Sequence, residues 1–405
     1  MHEPAHAVGG REAAIPAHEE HPEVVVEQPP PRGPITGVST DVTAFIGRCR
    51  TGPTDVPGVV RSAQEFAQIY GGPWSESPLG VAVLHFFRNG GRQAVICNID
   101  TDGRPLEATH VSDPTLQAGR RGLWMLDAFA DVNLICIPPF RFGMDVDRAT
   151  WDAAIAYAFQ RGAMVLVDPP ETWDIADARS PAALEALVSP HDACANAVLH
   201  FPRLRCPDPL TPGAVATFAP SGAVAGIYAR IDAHRGVWKA PAGLEARFEG
   251  VDALSVRLDD AEQSLLNVAG INGLRTFPGG HVVWGARTLR GADALASEWK
   301  YVPVRRLALF IEASVTRGVQ WASVEASGPR LWQALRLDVE TFLIELFRRG
   351  ALQGHNPAEA CFVRCDASTT TQDDVAQGVT NLVIGVAPLR PAEFVVLTVR
   401  VRHRR

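Results

Sequence analysis

Apolar residues recur along this chain with two different spacings, and the two alternate. Near the end, Val395, Leu397, Val399 and Val401 take every second place, with Val396, Thr398, Arg400 and Arg402 between them. That spacing predicts a strand with one apolar face and one polar, basic face. TAFIG (43–47), QAVICNID (93–100), VNLICIP (132–138) and AMVLVDPP (163–170) are instead near-continuous apolar runs. Such runs suit strands covered on both faces, and a further strand is expected near 194–201. Helical spacing appears in VPVRRLALFIEASVTRG (302–318), which aligns Val304, Leu307, Phe310, Ile311 and Val315. It is longest in 329–350, where Leu331, Leu335, Val339, Phe342, Leu343 and Leu346 share a face between Pro329 and Gly350.

Local punctuation sharpens these elements. Ser62 reads as the N-cap of a helix over 62–70, with Glu65 in the capping-box position and Gly71 as the stop. Pro78 opens a second helix over 78–88, and Asn89-Gly90-Gly91 ends it. Gly162 closes a helix over 151–162, while Ser180 and Pro181 begin one over 180–188. The run from 132 to 170 is then a strand–helix–strand unit, which implies a parallel sheet. The polar stretch 367–381 reads as a loop. The fold class is α/β in the body, α+β overall.

Residues 1–33 break the pattern with six prolines, six glutamates, four histidines and no aromatic residue. They cannot bury enough surface to fold alone. Within them Val24, Val25 and Val26, flanked by Glu23 and Glu27, suggest a short strand that needs a partner. Both ends of the chain therefore read as orphan strands on a globular body, and open edges must pair. The expected division is an arm over 1–34, an α/β body over 35–255, a second α/β unit over 256–392 and a terminal strand over 393–405.

Composition narrows the function. The net charge of −7 over 405 residues argues against nucleic acid as a partner. Only Lys239 and Lys300 are lysines, so nearly every cation is an arginine, which tolerates interfaces better. Seven cysteines in no disulfide-like spacing fit synthesis in a reducing cytoplasm. No secretory leader and no membrane span are expected. The chemistry-bearing patterns are weak. No phosphate loop, dinucleotide fingerprint or nucleophile elbow is present. Asp168 ends a strand where active-site residues often sit, but Asp-Pro-Pro is more simply a terminator. Cys361 and Cys365 lack a second ligand pair, and His2, His6, His18 and His21 are irregularly spaced. Asp259-Asp260 and Asp373-Asp374 fit helix starts and loops. No enzyme activity, cofactor or metal is expected.

Longer strings carry a resemblance. ITGVSTDVTAFIGR (35–48) and FAQIYGGPWSESPLGVAVLHFFRNGG (66–91) resemble the opening of phage tail sheath proteins, and IYARIDAHRGVWKAPAG (227–243) resembles their D-x-x-RGVWKAPA segment. The stretches 258–289, 298–321, 361–378 and 384–396 look like the sheath C-terminal domain. The similarity is to the short sheaths of R-type pyocins and extracellular contractile injection systems. It implies a tail-sheath fold whose subunits stack as hexameric rings around an inner tube and contract to drive that tube into a target. A cap, baseplate adapter or minor ring built on the same fold is the alternative. The implied partners are further copies of the chain, the inner tube protein, baseplate and terminal cap proteins and sister sheath subunits, with no nucleic acid and no membrane insertion. Assembly in the bacterial cytoplasm and release as a phage tail-like particle are implied too. In the family, terminal arms add strands to neighbouring subunits. The corresponding residues here are Glu23, Val24, Val25, Val26 and Glu27 at one end and Phe394, Val395, Leu397, Val399, Arg400, Val401 and Arg402 at the other. Glu23 and Glu27 would then lie near Arg400 and Arg402, unless the basic tail is simply solvated. Arg336, Arg348 and Arg349 on the 329–349 helix would face the tube.

Overall fold

The computed structural model describes residues 30–389 and 395–403. The expected strand at Val24–Val26, its flanking Glu23 and Glu27, and Phe394 lie outside the described residues. The chain forms β1 (Val42–Gly47), β2 (Gly58–Val60), α1 (Ala63–Tyr70), α2 (Leu79–Arg88), β3 (Gln93–Asn98), α3 (Ala108–Val111), β4 (Leu134–Cys136), α4 (Arg148–Arg161), β5 (Met164–Val167), α5 (Ile175–Arg179) and α6 (Pro181–Leu187). It continues through β6 (Ala197–Phe201), β7 (Leu204–Pro207), β8 (Val215–Phe218), α7 (Ser221–Arg235), β9 (Ala253–Leu254), α8 (Asp260–Ala269), β10 (Asn272–Phe277) and β11 (Gly280–Val283). The last third holds α9 (Val302–Gly318), α10 (Pro329–Arg348), α11 (Pro357–Ala360), β12 (Cys361–Arg364), α12 (Gln372–Ala376), β13 (Val379–Val386) and β14 (Val395–Arg402).

An eight-stranded sheet in the order β11-β10-β6-β5-β4-β1-β3-β2 forms the centre. Its inner strands run parallel, and the antiparallel pairs are β2 with β3 and β10 with β11. The apolar runs alternate sides within it. Ala44, Ile46, Val95, Cys97, Ile135, Val165 and Val167 pack with α4 on one face. Phe45, Ala94, Ile96, Leu134, Cys136, Met164 and Leu166 pack with α1, α2 and α7 on the other. Two covered faces explain why these strands carry no polar alternation. A small sheet of β8-β7-β9 lies beside this body.

Most of the local punctuation operates as expected. Ser62 Oγ accepts from Glu65 N at 3.0 Å, and Gly71 ends α1 at φ 82°. The Glu65 carboxylate reaches one residue further back than a capping box requires and accepts from Arg61 N. α4 starts three residues before the expected Trp151, because Asp147 caps it by accepting from Thr150 N.

Two expectations are corrected. The 367–381 stretch is not all loop. Thr371 and Asp374 form a capping box that starts α12, and β13 begins at Val379. Polar composition hid a helix whose signal is its cap alone. Residues 256–289 do not join the C-terminal unit. β10 pairs parallel with β6, and Leu258, Leu266 and Ile271 pack in the central core.

The C-terminal body packs α9 and α10 against the sheet β12-β13-β14. Leu331, Leu335, Val339, Phe342, Leu343 and Leu346 are all buried there, as their spacing predicts. α9 belongs to both bodies. Val302 and Leu309 sit in the central core, while Val304, Leu307, Phe310, Ile311 and Val315 sit in the C-terminal core.

Candidate assembly surface

The alternation at 395–402 produces β14, in which every odd residue is buried and every even one exposed. The strand is not an orphan within its own chain, which corrects the sequence reading. It pairs antiparallel with β13 over its whole length, from Val379 opposite Arg402 to Val386 opposite Val395. Val395, Leu397, Val399 and Val401 thereby complete the C-terminal core. Periodicity gave the buried face correctly but could not name the strand that pairs with it. Among the described residues β14 is an edge strand, so its outer row of backbone groups stays open to a further strand. Arg400 and Arg402 are exposed on it, and Val396 beside them is 54% exposed.

His403 holds the end of β14. Its Nδ1 lies 3.1 Å from Ala322 O and its Nε2 2.8 Å from Thr380 Oγ1. Thr380 Oγ1 in turn lies 2.8 Å from Ser327 Oγ, which accepts from Trp332 Nε1 at 3.2 Å. No local motif announces this network, because its members come from four segments.

The stretch that precedes β1 is fastened to the C-terminal helices. Arg32 makes a two-point bond to Asp338 on α10, at 3.0 and 2.7 Å, and its guanidinium lies over Trp321. Val38 N donates to Ser314 Oγ on α9 at 3.0 Å. Ile35 packs where any side chain on Gly318 would collide with it. Residues 32–38 are thus held against this body.

Of the three arginines expected on the tube-facing helix, Arg348 and Arg349 are exposed and Arg336 is half-buried. Arg336 and Arg348 approach Glu340 and Glu345 at 3.8 and 4.0 Å. Arg349 lies over Trp238, 5.2 Å from the ring centre. Exposed pairs of this kind are weak, so these cations stay available to an acidic surface.

Asp168 has a structural role. It is buried, and its carboxylate accepts from Ser221 N at 2.9 Å and Ser221 Oγ at 2.7 Å, fixing the first turn of α7. Burial pushes its carboxyl up to about 6, opposed by the Ser221 bonds. Asp259 caps α8 by accepting from Glu262 N. All seven cysteines are free. Among the described residues no group of three or more His, Cys, Asp or Glu side chains converges as a metal site. No helix among them is long and apolar enough to cross a membrane.

Comparison with known proteins places this geometry. Residues 126–289 match the phage tail sheath protein central domain, and residues 296–402 match the phage tail sheath C-terminal domain. The first span includes 258–289, in agreement with the central sheet. No curated protein matches the chain. Among solved structures, the helical sheath of the anti-feeding prophage in its contracted state is similar at 26% identity and TM-score 0.70, covering 94% of this chain and 99% of that one. The sheath complex of the extracellular contractile injection system PVC, also contracted, is similar at 26% identity and TM-score 0.71, covering 94% and 97%. A chain of the anti-feeding prophage baseplate is similar at 27% identity and TM-score 0.69, covering 94% and 98%. The chain belongs to the phage tail sheath protein family and is a sheath-fold structural subunit of the contractile injection type.

Proposed function

We propose that this chain is the repeating sheath subunit itself, stacked as hexameric rings around an inner tube, and that contraction of the stack drives the tube into a target. The observation that carries the reading is end-to-end similarity to two contracted sheaths, each covered almost completely. Copies are joined by strand exchange at the open edge of β14 and through the segment before Pro30. The body moves as a unit while the terminal segments act as joints. The exposed arginines of α10 face the tube, where many weak contacts add along a lattice. Cap and baseplate proteins close the ends of the particle, which assembles in the bacterial cytoplasm. The similarity to a baseplate chain supports a second reading, a single adapter ring.

Electron microscopy of the purified protein, alone and with its tube partner, separates the two. Long helical tubes are expected for the sheath, and isolated rings would support the adapter. A cysteine pair at Val25, in the segment before Pro30, and Thr398, exposed on β14, tests the joint. Oxidation is expected to give covalent ladders from assembled particles and single chains from unassembled protein. Single chains from both would remove strand exchange at this edge.

A further inference from the structure

Arg305 stands in the first turn of α9 and is only 8% exposed. Its Nε donates to Asn196 Oδ1 at 2.8 Å, and Asn196 is itself pinned through Nδ2 to Ala163 O. The guanidinium lies over Trp299 at 4.5 Å and beside Phe159 at 5.6 Å. Among the described residues no carboxylate comes within ion-pair distance, and the terminal N–H groups of the fork have no acceptor. Glu298 and Glu312 reach it only through their field. The neighbouring Arg306 is committed to Asp232 and Thr40 O.

Arg305 lines a cavity of about 570 Å³ bounded by α9, residues 38–40, residues 130–133 and the end of α4. Two polar atoms on residues of its wall, Asn133 Oδ1 and Arg161 Nε, are buried without a partner. Met164, Val237, Leu309 and Phe310 supply the apolar part of the wall. Desolvating a cation that has one hydrogen bond and no counter-charge is costly, and most buried polar atoms are satisfied. Stacking on Trp299 offsets part of that cost, while the fork remains oriented for a planar two-point acceptor. Asp131 and Glu312 also line the cavity, so repulsion grows with a ligand's charge and a single carboxylate is disfavoured less than doubly charged phosphate. The apolar wall suits the methylene stem of a side chain.

We propose that this cavity receives one carboxylate side chain from a second copy of the chain, which closes on the Arg305 guanidinium as subunits assemble. The excess of acidic over basic residues, 45 against 38, makes carboxylates the available complement. The inference rests on the self-assembling sheath reading and adds to it a contact separate from the β14 edge.

The test compares the parent with Arg305→Gln and Arg305→Lys. Unassembled Arg305→Gln is expected to melt no lower than the parent, since it loses a desolvated charge that has no ion-pair partner, while its assembly falls about tenfold or more by sedimentation, the scale of one charged hydrogen-bonded contact. Arg305→Lys is expected to recover part of that loss. A lower melting temperature for unassembled Arg305→Gln would make Arg305 an internal brace and overturn the proposal, as would parent-like assembly. In a second arm, sodium acetate replaces chloride at constant ionic strength. Acetate is expected to raise the melting temperature of unassembled parent and to leave Arg305→Gln unmoved. No difference between the two proteins would remove the anion site. An acetate shift with parent-like assembly of the variant would assign the site to a free anion and overturn the second-copy source. A parent that shows the acetate shift but never polymerises would sink the sheath reading, and the second-copy source with it, while leaving the anion chemistry intact.

Discussion

His85 and His200 place imidazole rings inside the fold, and burial decides their protonation. His85 stands edge-on to Phe218 with Nδ1 buried and unpartnered. Burial lowers it to about 4, and lowers His200 to about 3. A pKa depressed in the folded state means that the unfolded chain binds the proton more tightly. The stability these rings give is therefore full above the ordinary value of 6.5 and is lost as pH falls from there toward 4. His85→Phe removes the unpaired nitrogen and the proton site together. It is expected to unfold at a lower pH than the parent, with a stability difference on the order of 3 kcal/mol opening between pH 6.5 and 4. Circular dichroism across an acid titration reads it, and coincident curves would show that His85 has no part in acid unfolding. Asp168 acts with the opposite sign. Its raised pKa favours the folded state at low pH, and that contribution fades as pH rises through 6. The sequence offered Asp168 as either a strand terminator or a catalytic group. The partner that decides, Ser221, lies 53 residues further on, beyond the reach of any local pattern.

Helices carried the clearest signals in the sequence, because caps and stops are local. Ser62, Pro78, Gly162, Ser180 and Pro329 all mark real boundaries. What lay beyond reading was the contact between elements. Arg306 on α9 bonds Asp232 on α7 at 3.0 and 2.6 Å, with both side chains almost fully buried. Burial raises the Asp232 carboxyl and Arg306 draws it back. Arg306 also donates to Thr40 O at 2.9 Å, so one guanidinium ties together three parts of the chain. Arg306→Met is expected to cost about 3–5 kcal/mol, because Asp232 is left buried and unpaired. Adding Asp232→Leu is expected to recover most of that loss. Urea denaturation of the two single variants and the double variant measures the coupling, and additive losses would show that the pair is not a unit. On α10, reversing Arg348 and Arg349 to glutamate is expected to leave the melting temperature within a degree or two and to weaken assembly on the tube. Unchanged co-sedimentation with the tube would place the tube contact elsewhere.

At the scale of the whole molecule, the class of fold was legible and the membership of its parts was not. Apolar runs announced a doubly covered sheet, but no spacing tells β10 that its neighbour is β6. The same gap made β14 look unattached. In this fold the strand closes the C-terminal core, and each of its four buried side chains contributes up to about 1.5–3 kcal/mol. Removing residues 395–405 is therefore expected to loosen that body, with lost cooperativity in thermal melting, rather than leave a sound monomer that merely fails to assemble. A synthetic peptide of residues 395–405 added in trans is expected to restore the melt. A truncated chain that melts like the parent would show that the core closes without this strand. One consequence concerns load. α9 has no loop at the border between the two cores, since its own side chains fill both, and Arg306 fastens it crosswise to α7. A pull on the C-terminal body therefore reaches the eight-stranded sheet through continuous helix and a buried bolt, and the subunit passes tension on with little give of its own.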